Sequence, residues 1–329
     1  MEMKILITGG LGFIGSNLID YLLKKKNVKK IIVVDNFSKS SPRYLKSLTD
    51  YKYFQRPNLY VNSTKRVELI KVDISNYNFA VKITKNIDYI IHLAAESGVD
   101  TSVKNPEKSF KVNVIGTFNY LNAARINNIK GFIFPSSGAV FGDVKPPIDE
   151  NLARNPISPY GSGKLSGETF CETFSKVFKL NTTILRFSNA YGRFSTHKTS
   201  VIAKFIQNIL NNKSVIVNGD GQHTRDFIFV DDICSAIYIS LTNKKRLQIY
   251  NVSTGKETSI NNLISTMKKV LTRYNKYSIS VKYSKQRIGD MKRNFAKSNK
   301  INKELGWKSK IELKSGLKKT FGWYEIEKK

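Results

Sequence analysis

At 329 residues with 40% hydrophobic content, the chain is long enough for one large or two ordinary domains and apolar enough to bury a core. Cys171 and Cys234 lie in unrelated segments, and His92, His197 and His223 fall neither in a cluster nor at metal-ligand spacing, so neither a disulfide framework nor a metal site is expected. A formal net charge of +30 invites a nucleic-acid or anionic-membrane reading, but the lysines are scattered along the whole chain, and no apolar run approaches the roughly 18 residues needed to cross a bilayer. The expectation is a folded cytoplasmic protein with no nucleic-acid or membrane partner, whose basic surface suits an anionic small substrate.

Residues 4–8 form a short apolar strand, followed by a glycine turn, an apolar-periodic helix over 13–23 and a second strand, 31–35, ending in Asp35. Residues 38–62 are polar and irregular and read as a helix and loop insertion. The alternation resumes with β-rich runs at 68–72, 87–93, 131–135 and 182–186, separated by helical patterns at 113–127 and 161–178. Fully apolar strands alternating with helices predict an α/β fold, a Rossmann-type doubly wound parallel sheet covered on both faces. After Tyr191 the pattern changes to Gly- and Asn-rich loops with a late helical tail. We therefore expect a dinucleotide-binding domain over 1–188, rejoined by about 225–250, and a smaller substrate-binding lobe over 189–329.

In the first turn Gly9, Gly12 and Gly15 recur three apart, directly after a strand and at the opening of a helix. The first permits the sharp turn, the second lets backbone amides approach a pyrophosphate, and the third lets the helix pack on its strand. The helix N-terminus then presents unpaired N–H groups and a positive dipole end to the phosphates. Asp35, about 20 residues on, can accept from both ribose hydroxyls and would repel a 2′-phosphate, which favours NAD over NADP; Lys39 and Arg43 nearby argue the other way. Asp73, ending the third strand, is placed to meet the adenine.

Tyr160 and Lys164 lie four apart at the start of a predicted helix, so both side chains share one face. A cation held near a phenol lowers its pKa and makes it usable as a base.

With these blocks the chain resembles the extended short-chain dehydrogenase/reductase family, and within it the NAD-dependent nucleotide-sugar epimerases and dehydratases. Further landmarks are His92-Leu93-Ala94-Ala95, Ser136-Ser137-Gly138-Ala139-Val140-Phe141-Gly142, Leu185-Arg186-Phe187-Ser188-Asn189-Ala190-Tyr191-Gly192, Gly219-Asp220-Gly221 through Arg225-Asp226-Phe227, and Arg287-Ile288-Gly289-Asp290. The resemblance implies that Ser137 binds the sugar O4, Tyr160 is the acid/base, and Lys164 holds the nicotinamide ribose while tuning Tyr160. It places Phe13, Ile14, Asn36, Ile74, Leu93, Ala94, Ala95 and Asn113 along the cofactor, and Asn189, Arg225 and Arg287 on the nucleotide diphosphate, where guanidinium forks suit phosphates. It also implies a homodimer through two helices of the dinucleotide-binding domain.

The 4,6-dehydratases of the group resemble one another in carrying Asp-Glu or Ser-Glu directly after the catalytic hydroxyl, because eliminating water needs an extra acid and base. Here those positions are Gly138 and Ala139, which cannot move protons. The expected activity is therefore a 4-epimerase acting on a UDP-sugar through a transient 4-keto sugar. Ala94-Ala95-Glu96-Ser97 looks somewhat like the dehydratase version of its block, although Gly98 departs from the His usual there, and keeps that alternative open; a UDP-glucuronate 4-epimerase is the other enzymatic alternative. A non-catalytic dinucleotide-binding regulator is the remaining class. The resemblance implies that the residue four beyond the Gly-Asp block gates bulk at C2; here it is Asn294, intermediate in size, so glucose, N-acetylglucosamine and glucuronate all remain candidate sugars.

Overall fold

The computed structural model describes residues 2–61, 63–242, 245–272, 277–285 and 292–328. By internal contacts the chain divides into two compact units, one of Met1–Asp143, Glu150–Phe187 and Cys234–Tyr250, the other of Val144–Asp149, Ser188–Ile233 and Asn251–Lys329.

The first unit is built on a sheet whose strands are β1 (Met3–Thr8), β2 (Val28–Asp35), β3 (Lys52–Phe54), β4 (Val67–Lys71), β5 (Tyr89–His92), β6 (Gly131–Ser137), β7 (Thr182–Phe187) and β8 (Leu247–Val252), in the order β8-β7-β6-β5-β1-β2-β4-β3. All pairings from β3 through to β7 are parallel. Helices α1 (Phe13–Leu23), α2 (Tyr77–Ile83), α3 (Pro106–Phe110), α4 (Thr117–Ile126) and α5 (Pro159–Phe178) connect the strands. Ile5, Leu6, Ile7, Val33, Val34, Ile90 and Ile91 are fully enclosed, as strands covered by helices on both faces require. β1 leads to β2 on one side while β5 returns on the other, so the order reverses at β1, and a crevice opens beyond the carboxyl ends of β1 and β5.

One departure from the sequence reading is local. The 38–62 insertion contains not only a helix, Arg43–Leu48, but also β3, which extends the sheet edge. Only Phe54 of its three residues is buried, so no alternation announces it. The strand that rejoins the main sheet is β8, whereas Thr224–Arg225 pairs with Thr258–Ser259 and Phe227–Phe229 with Asn189–Tyr191 in small separate sheets.

The second unit has its own core, in which Ile206 and Ile209 of helix α6 (Val201–Leu210), Leu263 and Met267 of α7 (Ile260–Leu271), and Leu317 and Phe321 of α8 (Leu313–Lys328) close on Val215, Val217 and Phe229.

Candidate active site

Gly9 sits at the end of β1 with a left-handed φ of +67°, and a Cβ there would lie 2.6 Å from the backbone nitrogen of Ala94. That contact seats the loop after β5 directly against the turn. A Cβ on Gly15 would meet the carbonyl of Gly10 at 2.5 Å, so the third glycine lets α1 close on the turn. Gly12 is the residue before α1, and no side chain caps the helix there, so Phe13 and Ile14 open a first turn whose N–H groups face outward.

Asp35 is buried at the end of β2. Its carboxylate accepts from the N–H of Leu11 at 3.1 Å and of Phe37 at 2.8 Å. Burial pushes its pKa up, and these two bonds pull it back. Asn36 donates to Asp73 at 2.7 Å, and Ser75 N–H donates to the other Asp73 oxygen at 2.9 Å. Burial alone would raise the Asp73 carboxyl, but the bonds from Ser75 and Asn36 and the charge of Lys111 outweigh it and hold it low. Asn36 and Asp73 line a cavity of about 350 Å³ with Gln55, Arg56, Lys71 and Val72. Gln55 and Arg56 come from the insertion, and nothing in its polar sequence distinguishes them.

His92 ends β5 with its ring nitrogens 3.0 Å from Thr8 Oγ1 and 3.2 Å from Thr117 Oγ1. Leu93, Ala94 and Ala95 follow, half-buried, and Thr8 Oγ1 also accepts from Ala94 N–H at 3.2 Å. Asn113 lies in a wide π-type turn, residues Lys111–Gly116, between α3 and α4. Its amide accepts from Glu96 N–H and donates to Glu96 carbonyl, each at 3.0 Å, and so fixes the loop rather than pointing free into the crevice. The Glu96 side chain forms ion pairs with Lys39 at 2.7 Å and Lys108 at 3.2 Å, a cluster the sequence did not single out. Ile74 is buried, and a Cβ on Gly116 of the same turn would strike it.

Ser137 ends β6 and Tyr160 and Lys164 stand on the first turns of α5, whose N-cap Ser158 accepts from Gly161 N–H at 3.1 Å. The helix lies close on β6 because Gly167 faces the Phe134 ring, where a Cβ would come within 2.3 Å. Burial raises the Tyr160 phenol above its ordinary pKa, and the Ser137 hydroxyl at the end of β6 acts in the opposite direction. Lys164 is buried, donates to the Pro135 carbonyl at 2.7 Å and lies 4.9 Å from the Phe134 ring centre. Burial pulls its ammonium down to about 8, against the attraction of Glu168. Gly138 and Ala139 begin a short 3₁₀ turn, and a Cβ at Gly138 would meet only open space.

In the second unit Asn189 is exposed, and its N–H donates to the Asp226 carbonyl at 2.9 Å. Arg225 is half-buried and donates to the Thr224 carbonyl at 2.7 Å. Thr224 N–H donates to the Lys292 carbonyl at 2.8 Å, which brings the segment leading to half-buried Asn294 beside Arg225. Arg287 lies outside the described residues.

Residues 6–320 match the family model described as GDP-mannose 4,6 dehydratase. The chain belongs to that family. Within it, the chain is 36% identical over 324 residues to a putative UDP-glucose 4-epimerase of Methanocaldococcus jannaschii, covering 97% of each chain. Among solved structures it is similar to the UDP-glucose 4-epimerase of Thermotoga maritima with UDP-glucose, at a TM-score of 0.88 and 30% identity over 99% of this chain and 100% of the other. It is also similar to the dTDP-glucose 4,6-dehydratase of Streptomyces venezuelae with NAD and TYD, at a TM-score of 0.87 and 26% identity over 99% of this chain and 98% of the other. The family match and these likenesses agree with the expected extended short-chain dehydrogenase/reductase group of nucleotide-sugar epimerases and dehydratases and with its parallel-sheet fold. Among the described residues no helix is long and apolar enough to cross a membrane.

Proposed function

We propose that this family member is an NAD-dependent epimerase that inverts C4 of a UDP-sugar. The observation that carries the reading is Ser137 at the end of β6 acting on the Tyr160 phenol, with buried Lys164 one turn further along the same helix and only Gly138 and Ala139 where a dehydratase has its extra acid and base. The cradle at Gly9, Gly12 and Gly15 and the ribose-facing Asp35 suit NAD. Phe13 and Ile14 would hold its pyrophosphate, Asn36, Asp73 and Ile74 its adenosine end, and Leu93, Ala94, Ala95 and Asn113 the crevice wall. Bound NAD supplies the hydride acceptor and donor at C4. Tyr160 takes the O4 proton and later returns it, Ser137 orients O4, and Lys164 keeps a positive charge beside the developing phenolate. Asn189, Arg225 and Arg287 take the diphosphate, and Asn294 sets the room at C2.

Glu96 and Ser97 favour the 4,6-dehydratase reading, since they match the dehydratase form of that loop. Against it, the Glu96 carboxylate is engaged by two lysines and held low by them in spite of its burial, so it is no proton donor near neutral pH. Incubation with UDP-glucose, UDP-N-acetylglucosamine and UDP-glucuronate, followed by NMR, separates the readings: C4 epimers support the proposal, a 4-keto-6-deoxy product replaces it with the dehydratase, and no conversion of any sugar sinks both.

The same reading includes a homodimer. Phe110, Ile115, Phe118, Val177 and Phe178 are exposed on α3, the π-type turn, α4 and α5, with Phe118 set against Phe170 and Phe174. Such a face seeks cover. Light scattering that finds a monomer at micromolar concentration would remove this element.

A further inference from the structure

The catalytic face of α5 is tied to the end of β6 by a buried acid. Glu168 lies one helical turn beyond Lys164 and is fully enclosed. Its Oε1 accepts from Ser136 Oγ at 2.6 Å and from Arg186 Nε at 2.9 Å, and its Oε2 accepts from Arg186 Nη2 at 2.7 Å and Arg154 Nη1 at 3.3 Å. Ser136 and Arg186 are register partners on β6 and β7, so the carboxylate spans two adjacent strands from above. Arg154 also pairs with Glu172, one turn further along, and Arg186 donates to the Glu150 carbonyl at 3.2 Å. A buried carboxylate with one cation partner would already be neutralised; this one is also bonded to the residue adjoining Ser137.

We propose that Glu168 and Ser136 form a positioning pair that sets the separation of Ser137 from Tyr160 and Lys164, and so sets the reactivity of the phenol. The inference rests on the epimerase reading for its catalytic consequence but on this geometry alone for its structural one. Ser137 is joined to Ser136 through the chain; Tyr160 and Lys164 share a helix with Glu168. The 2.6 Å bond is therefore the short route by which strand and helix keep one spacing. Ser137 is the neighbour that opposes burial at the Tyr160 phenol, so any widening between strand and helix leaves the phenol harder to ionise. The charge has a second effect. Lys164 faces Glu168 and Cys171 on its own helix, His92 on β5, and the Pro135 carbonyl on β6. Of these, Glu168 is the group that favours the ammonium by full charge.

Two variants test the pair. Ser136→Ala removes one oxygen and leaves the Glu168 charge with its arginines; Glu168→Gln removes the charge and keeps the shape. Three readouts are needed: ultraviolet titration of tyrosinate, as the difference from Tyr160→Phe in the same background; kcat and KM on the sugar the wild type converts; and bound NAD. We expect Ser136→Ala to raise the pH at which Tyr160 ionises and to cut kcat roughly tenfold to a hundredfold, as misplacement of reacting groups does, with KM and bound NAD unchanged. Glu168→Gln should do the same and also move the alkaline limb of the kcat profile to lower pH, because Lys164 loses its anionic neighbour. A lowered melting temperature with Tyr160 titration and kcat unchanged in Ser136→Ala overturns the proposal. If Glu168→Gln does not fold, Ser136→Ala decides alone. If the wild type converts no UDP-sugar, the epimerase reading fails, and the tyrosinate titration still decides the positioning role.

Discussion

Acidification should weaken this fold through one side chain in particular, His92. Its ring is fully buried between Thr8 and Thr117, and burial, reinforced by the Lys164 ammonium, holds its pKa at about 3 against an ordinary 6.5. The folded value lies below the unfolded one, so between the two the unfolded chain accepts a proton that the folded chain refuses, and stability falls as pH drops from 6.5 toward 3. At pH 5, about 1.5 pH units below the unfolded value and at about 1.4 kcal/mol per pH unit, the loss is about 2 kcal/mol, a substantial part of the roughly 5–15 kcal/mol that holds an ordinary domain. Carboxylates held low, such as Asp73 and Glu96, lose their contribution only below their unfolded values, at more acid pH. Urea unfolding of the wild type and of His92→Gln, followed by tryptophan fluorescence at pH 7 and pH 5, isolates the effect. The glutamine keeps an amide for Thr117 and removes the proton site. The wild type should lose about 2 kcal/mol more than the variant between the two pH values. Equal losses would refute the assignment of a neutral buried imidazole.

Other outcomes follow from the site. Tyr160→Phe should keep bound NAD and lose turnover by about 10²–10⁴-fold, the range for a positioned acid or base; activity within tenfold of wild type would remove Tyr160 as the proton carrier. Gly9→Ala forces a Cβ to 2.6 Å from Ala94 in a left-handed backbone, so purified protein should carry much less NAD, read as absorbance after denaturation. Asp35→Ser should admit NADP by removing the repelling charge, and should also lower the melting temperature, because Leu11 and Phe37 lose a buried acceptor at about 1–3 kcal/mol. A variant that gains NADP at unaltered stability would contradict the second half.

The parallel sheet was legible because β1, β2, β4, β5, β6 and β7 each carry a short apolar run, and the dinucleotide turn because three glycines have steric reasons visible in order along the chain. β3 was not, since three residues at a sheet edge bury only Phe54. The tie among Ser136, Glu168 and Arg186 was not legible either: the three are far apart in sequence, and only the register of β6 on β7 under α5 aligns them. The role of Lys164 shows the same limit from the other side. Spacing put Lys164 on the helix face with Tyr160, but spacing does not say that its ammonium turns to the Pro135 carbonyl. Asn113 is similar, placed beside the crevice yet occupied in holding Glu96.

Asp35 has a consequence beyond the choice of cofactor. Because both of its oxygens are engaged by the backbone of the turn and of the loop after β2, the pocket is ordered before any ribose arrives, and little conformational freedom remains to be lost on binding. The same arrangement makes coenzyme preference hard to evolve: a lineage moving toward NADP must replace the acid and, in the same step or before it, find another acceptor for Leu11 and Phe37.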